Sequence, residues 1–265
     1  MPKLALNDIE LYYEIRGSGI PLLLIAGLAS DSQSWQPISE KLASHCQVIT
    51  VDNRGVGRTS PLDTDTGIHA IAADCIALVR HLGLKSVNML GHSMGGLVAL
   101  DCAIHYPEYV GKMILATTSS CNSRRNNDLF SNWASSLETG LDLKIWFRSI
   151  FHWILSERFF DDVKAVEDAL QFEVDYPYPP NAVAFRKQVD AIAEFDCTDK
   201  LSGIAAKTLV IAGNEDLLFP VQICKYLAGR IPGAAFKVID NAAHAIYMET
   251  PDVFVDTVLN FLLHS

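Results

Sequence analysis

One hexapeptide limits the possible folds more than any other stretch of the 265-residue chain: Gly91-His92-Ser93-Met94-Gly95-Gly96. Before it, residues 86–90 read as a short strand; after it, residues 97–106 form a small-residue helical pattern stopped by Pro107. A strand that turns sharply into a helix has no room for bulky side chains two positions either side of the apex. Glycine stands at both, Gly91 and Gly95. The apex serine is then held in a strained conformation at the positive end of the next helix, where backbone N–H groups favour a developing oxyanion. Chance supplies Gly-x-Ser-x-Gly often, but its place between strand and helix makes it a nucleophile elbow.

The rest of the chain repeats that alternation. Residues 11–15, 20–26, 48–51, 110–116 and 208–212 read as strands, the second apolar on both faces as a buried central strand would be. Residues 68–82 carry apolar side chains at helical spacing and stop before Gly83. Strands alternating with helices predict a mostly parallel sheet covered on both faces. Residues 121–195 break the rhythm: no buried strand is evident, and eight of the twelve Phe and three of the four Trp collect there. Helical spacing fits 141–155 and 163–174, and residues 175–180, Asp-Tyr-Pro-Tyr-Pro-Pro, must be extended or turning. The reading is therefore an α/β core domain, 1–120 and 196–265, with a helical cap, 121–195, inserted between two strands over a pocket.

A serine hydroxyl needs a base to take its proton, and the base needs an acid to orient it. Eight histidines compete. His92 lies inside the elbow, with its side chain expected to leave the turn on the side away from Ser93. His45, His69, His81 and His105 lie on or near helices and read as surface or capping residues; His152 falls in the cap and His264 at the C-terminal end. His244 differs, since Asn241-Ala242-Ala243-His244-Ala245 is a small-residue loop after the strand-like 236–239 and before a last helix from Pro251. Loops at the C-terminal ends of strands are where α/β sheets place working groups. Asp216, in Gly213-Asn214-Glu215-Asp216, follows a late strand in the same way, with Glu215 as its rival.

These motifs, together with Asp52-Asn53-Arg54-Gly55-Val56-Gly57-Arg58-Thr59-Ser60, resemble the α/β-hydrolase family along essentially the whole chain. The resemblance implies Ser93 as nucleophile, His244 as general base and Asp216 as the orienting acid. It also implies an oxyanion hole made by the backbone N–H groups of Met94 and Leu28, and a structural role for 52–60, with Arg54 a buried pairing group. Many relatives carry His-Gly before the second donor; here Ala26 stands in place of the histidine. Trp35 and Trp133 are candidate pocket residues, with core packing the alternative for each. Arg124, with Arg125, is a candidate partner for a substrate carboxylate, solvated arginines being the alternative.

The implied reaction is acyl transfer through an acyl-enzyme, without a cofactor or metal. A serine at the elbow counts against the aspartate-dependent dehalogenase and epoxide-hydrolase branches. Esterases, enol-lactonases, carbon–carbon bond hydrolases and methyl esterases of carrier-bound acyl chains share the triad. A different class, the slow-turnover small-molecule receptor, keeps it too. An aromatic cap favours a small, largely apolar ester or lactone. The net charge of −10 without a basic stripe argues against nucleic acid and anionic membranes as partners. The longest apolar run, 21–29, is about half what a membrane span needs. No signal-peptide pattern follows Met1-Pro2-Lys3, and six cysteines without a C-x-x-C pair fit a reducing cytoplasm. The expectation is a cytoplasmic monomer or homodimer.

Overall fold

The computed structural model describes residues 2–264. Eight strands form one sheet: β1 (Lys3–Ala5), β2 (Glu10–Arg16), β3 (Ile20–Ile25), β4 (Cys46–Val51), β5 (Val87–His92), β6 (Val110–Ala116), β7 (Thr208–Gly213) and β8 (Ala235–Ile239). Their order is β1-β2-β4-β3-β5-β6-β7-β8. β1 and β2 pair antiparallel at one end, and every neighbour from β4 onward is parallel. The expected strands are all present, and β1 is an addition: three residues, mostly exposed, carry too little pattern to be read. The strand before the elbow runs two residues past 90, because Gly91 and His92 pair with Leu115 and Ala116 of β6.

Side chains alternate between two cores, as the pleat demands. On β3, Leu23 and Ile25 join one core while Leu22 and Leu24 join the other. The first face is covered by α2 (Ile68–His81), α3 (Met94–His105) and α9 (Val221–Arg230); the second by α1 (Gln36–Ala43), α10 (Ile246–Glu249) and α11 (Pro251–His264). Among the described residues no helix is long and apolar enough to cross a membrane.

Five helices lie between β6 and β7: α4 (Arg124–Glu138), α5 (Leu143–Ile154), α6 (Glu157–Asp161), α7 (Val163–Asp175) and α8 (Ala182–Glu194). Each starts at a side chain that accepts from a backbone N–H in the first turn: Ser123, Asp142, Ser156, Asp162 and Asn181. Cys121 and Asp196 form a β-bridge where the insertion leaves and rejoins the core. Within it, Trp146 is fully buried and donates its indole N–H to the Trp133 carbonyl at 2.8 Å, tying α5 to α4. Arg186 of α8 grips Glu138 of α4 at 2.9 Å.

Candidate active site

The elbow is built by close approach. A Cβ on Gly95 would lie 2.0 Å from the Ile25 carbonyl oxygen, and one on Gly91 would lie 2.2 Å from that of Gly95. Only glycine allows β5, β3 and α3 to meet there. Ser93 at the apex has φ +54° and ψ −120°, a strained conformation for a residue with a side chain. Its own backbone is fixed by three bonds: its N–H donates to Ala116 O (3.0 Å), and its carbonyl accepts from Gly96 N (2.9 Å) and the Thr118 hydroxyl (2.8 Å).

Asp216 and His244 arrive on the loops after β7 and β8. His244 Nδ1 lies 3.0 Å from Asp216 Oδ2. The other carboxylate oxygen accepts from the amides of Leu218 (2.8 Å) and Phe219 (2.9 Å), so the carboxylate cannot rotate away. With a carboxylate as its partner, Nδ1 carries the proton, and Nε2 is left as the basic nitrogen. Both residues are buried, and His244 and Ser93 face one cavity. Glu215 is only half-buried; its backbone N–H donates to Ala242 O, and no bond joins its side chain to His244.

His92 departs from expectation. Its ring does not turn away from the site: it stands 4.8 Å from the His244 ring and its Nε2–H donates to the His244 carbonyl at 2.9 Å. Burial, with the nearby His244 ring contributing, pushes its pKa down to about 3, so it stays neutral and acts as a fixed donor that props the His244 loop. The strand extension carries it there, and a strand read as ending at residue 90 hides it.

The loop after β3 places Leu28 on the cavity wall, and among the described residues neither the Leu28 nor the Met94 amide has an acceptor. Ala26 supplies no side-chain bond, but other groups hold the loop. Asn53 Nδ2 donates to Ala26 O (3.2 Å), Ser30 N to Gly27 O (3.3 Å), and Ala29 N to Oε1 of the fully buried Gln188 (3.2 Å). Gln188 belongs to α8 and also donates to Arg54 O at 2.8 Å. Two other helices of the insertion make similar grips. Asn126 of α4 donates to Leu218 O on the Asp216 loop (2.8 Å), and Ile154 O of α5 accepts from Ala245 N beside His244 (2.8 Å). Arg54 is buried between Asp74 and Asp8, with a two-pronged bond to each, and holds the 52–60 turn in place.

The cavity measures about 620 Å³, within the usual range for small-molecule sites. Phe130, Trp133, Phe147, Phe151 and Phe185 of the insertion form its apolar wall. Trp133, a candidate for either pocket or core, is buried in the core cluster and also lines this wall. Two expectations are corrected. Trp35 does not line the cavity: it lies in the core of the other sheet face, 4.7 Å from the Tyr247 ring, because the helical turn that carries it packs beneath β3. Arg124 is exposed outside the cavity, since α4 turns Asn126 and Phe130 inward. Arg125 is exposed as well, bonded to Leu217 O and lying over Trp153. Among the described residues no lysine or arginine lines the cavity.

With fold and site in view, residues 20–251 match the alpha/beta hydrolase fold family. The chain belongs to that family. A protein of Rhizobium rhizogenes called "Putative carbamate hydrolase RutD" is 30% identical over 258 residues, 95% of this chain and 97% of its own. The pimeloyl-[acyl-carrier protein] methyl ester esterase of Aliivibrio fischeri is 27% identical, covering 96% and 97%. Among solved structures, a thermophilic esterase from Thermogutta terrifontis superposes with a TM-score of 0.87 at 27% identity, covering 99% and 98%.

Proposed function

We propose that this α/β hydrolase is a serine hydrolase that cleaves a carboxylic ester or lactone of a small, largely apolar substrate. One observation carries the reading. The strained Ser93 and the Asp216-bonded His244 open together onto an aromatic-walled cavity beside two unengaged amides. His244 Nε2 takes the Ser93 proton as Oγ attacks the acyl carbon. The Leu28 and Met94 N–H groups receive the oxyanion, and His244 returns the proton to the leaving alcohol. Water, deprotonated by the same nitrogen, then attacks the acyl-enzyme and frees Ser93. No step calls on a cofactor. The names of two relatives agree in chemistry, since an ester and a carbamate both present a carbonyl bearing a heteroatom leaving group.

Steady-state hydrolysis of p-nitrophenyl esters from short to long acyl chains tests this, with Ser93→Ala beside the wild type. Turnover should fall by roughly 10⁶-fold in the variant, by analogy with other triads. Equal rates in the two proteins would remove Ser93 from the mechanism. A single burst that stalls in the wild type would replace the esterase reading with that of a slow-turnover receptor.

A further inference from the structure

The aromatic cavity has one wall of a different character. Where the loop after β3 meets the end of α7, Asp31, Glu173 and Tyr176 line it together. Asp31 is committed: Oδ1 accepts from Gln33 N at 2.8 Å and Oδ2 from the Tyr176 hydroxyl at 2.5 Å. Glu173 is not. Among the described residues its carboxylate has neither a hydrogen-bond donor nor a cation. Burial and then the charge of Asp31 push it up to about 7. Glu173 is half-buried, and in an apolar wall an ionised carboxylate without a partner is disfavoured, a perturbation that clusters at functional sites.

The surrounding charges are unbalanced in the same sense. Four carboxylates, Glu14, Asp31, Asp52 and Glu173, meet two arginines. Arg16 pairs with Glu14 at 3.0 Å, while Arg58 holds Asp52 at 2.8 Å and reaches Asp31 at 3.6 Å. Cations on the neighbouring helices are engaged elsewhere: Lys144 and Arg148 of α5 with Glu167, Arg158 of α6 with the Asn241 carbonyl. His152 of α5 stacks on Phe160. Tyr176 and Tyr247 are both raised by burial and remain protonated.

We propose that Glu173, with Asp31 behind it, is a subsite for a cationic group, and that the substrate is an ester carrying a protonated amine or quaternary ammonium. The inference rests on the serine-hydrolase reading for its ester, and on the cavity for its cation. An incoming cation would complete the wall and pair the half-buried Glu173 carboxylate. An anionic substrate would meet two carboxylates and no lysine or arginine.

The test is a pair of isosteres: a choline ester and its carbon analogue with tert-butyl in place of trimethylammonium, repeated with the charge on the acyl half. The ratio of kcat/KM within a pair cancels the protonation state of the catalytic base. The wild type should favour one cationic member by about tenfold or more, the scale of a hydrogen bond or contact to a charged group. That preference should grow as pH rises through about 7, where Glu173 ionises. Glu173→Gln should bring the ratio to about one, each pair serving as its own control for any change in basal rate. A wild-type ratio near one for both pairs, or a preference that survives Glu173→Gln, overturns the subsite while p-nitrophenyl turnover keeps the hydrolase. Without Ser93-dependent turnover, calorimetric titration with choline decides instead. Binding lost in Glu173→Gln supports the subsite, and no binding by the wild type overturns it.

Discussion

Asp216 is the residue whose geometry is most completely determined. Two backbone amides hold one oxygen and the His244 ring the other. Asp216→Asn keeps the shape but presents an N–H to His244 Nδ1, which favours the tautomer with the proton on Nε2. Turnover should fall by about 10⁴-fold, as in other triads, with little change in Tm. Glu215→Gln, on the adjacent residue, should leave the rate unchanged; a loss confined to that variant would move the acid. Neighbouring residues differ as sharply on α4. Arg124 and Arg125 point to solvent and Asn126 is buried, one position apart, because each helical step turns a side chain by about 100°. A charge at the start of a helix cannot be assigned to a pocket from sequence, since the answer depends on which face packs.

The elements of the insertion do more than cover the cavity. Asn126 of α4, Ile154 of α5 and Gln188 of α8 each bond to a different loop: those carrying Asp216, His244 and Leu28. Gln188→Leu would leave the buried Arg54 carbonyl and the half-buried Ala29 N–H without partners, a loss of about 1–3 kcal/mol for the buried carbonyl and less for the other. Urea denaturation should show that loss. In kinetics kcat should fall more than KM rises, because the Leu28 amide is displaced. Gln188→Glu keeps the acceptor for Ala29 and should recover part of kcat. The strands, the elbow and the two loops after β7 and β8 were legible because each is a local pattern: apolar runs, glycine spacing, a carboxylate or histidine just past a strand. Gln188, Glu173 and His92 were not. Each takes its role from an element distant in sequence, and a glutamine or glutamate on an amphipathic helix otherwise reads as a solvated face. Trp35 was misplaced for a related reason, since periodicity does not say which sheet face receives a short helical turn.

Across the whole molecule, the buried His92 and the half-buried Glu173 oppose each other in pH. His92 is held from 6.5 down to about 3, so below 6.5 the unfolded chain binds a proton the folded one refuses, and stability rises with pH through that window. Glu173 is raised from 4.5 to about 7, so between those values the folded chain holds the extra proton and stability falls as pH rises. Between 4.5 and 6.5 the two slopes, each at most about 1.4 kcal/mol per pH unit, offset one another. Urea denaturation across that window should therefore separate the variants: Glu173→Gln gains stability with pH and His92→Gln loses it. Parallel lines would mean that neither group carries the shift. The three bonds from the insertion to the loops of Asp216, His244 and Leu28 also bear on descent. Its two stems leave the sheet side by side at Cys121 and Asp196, which invites exchange of the whole segment between relatives. A foreign segment would arrive without the three grips and would inherit the chemistry in slackened form. Diet and turnover would then be inherited together, and altering cavity-facing side chains would be a readier route to new specificity than trading caps.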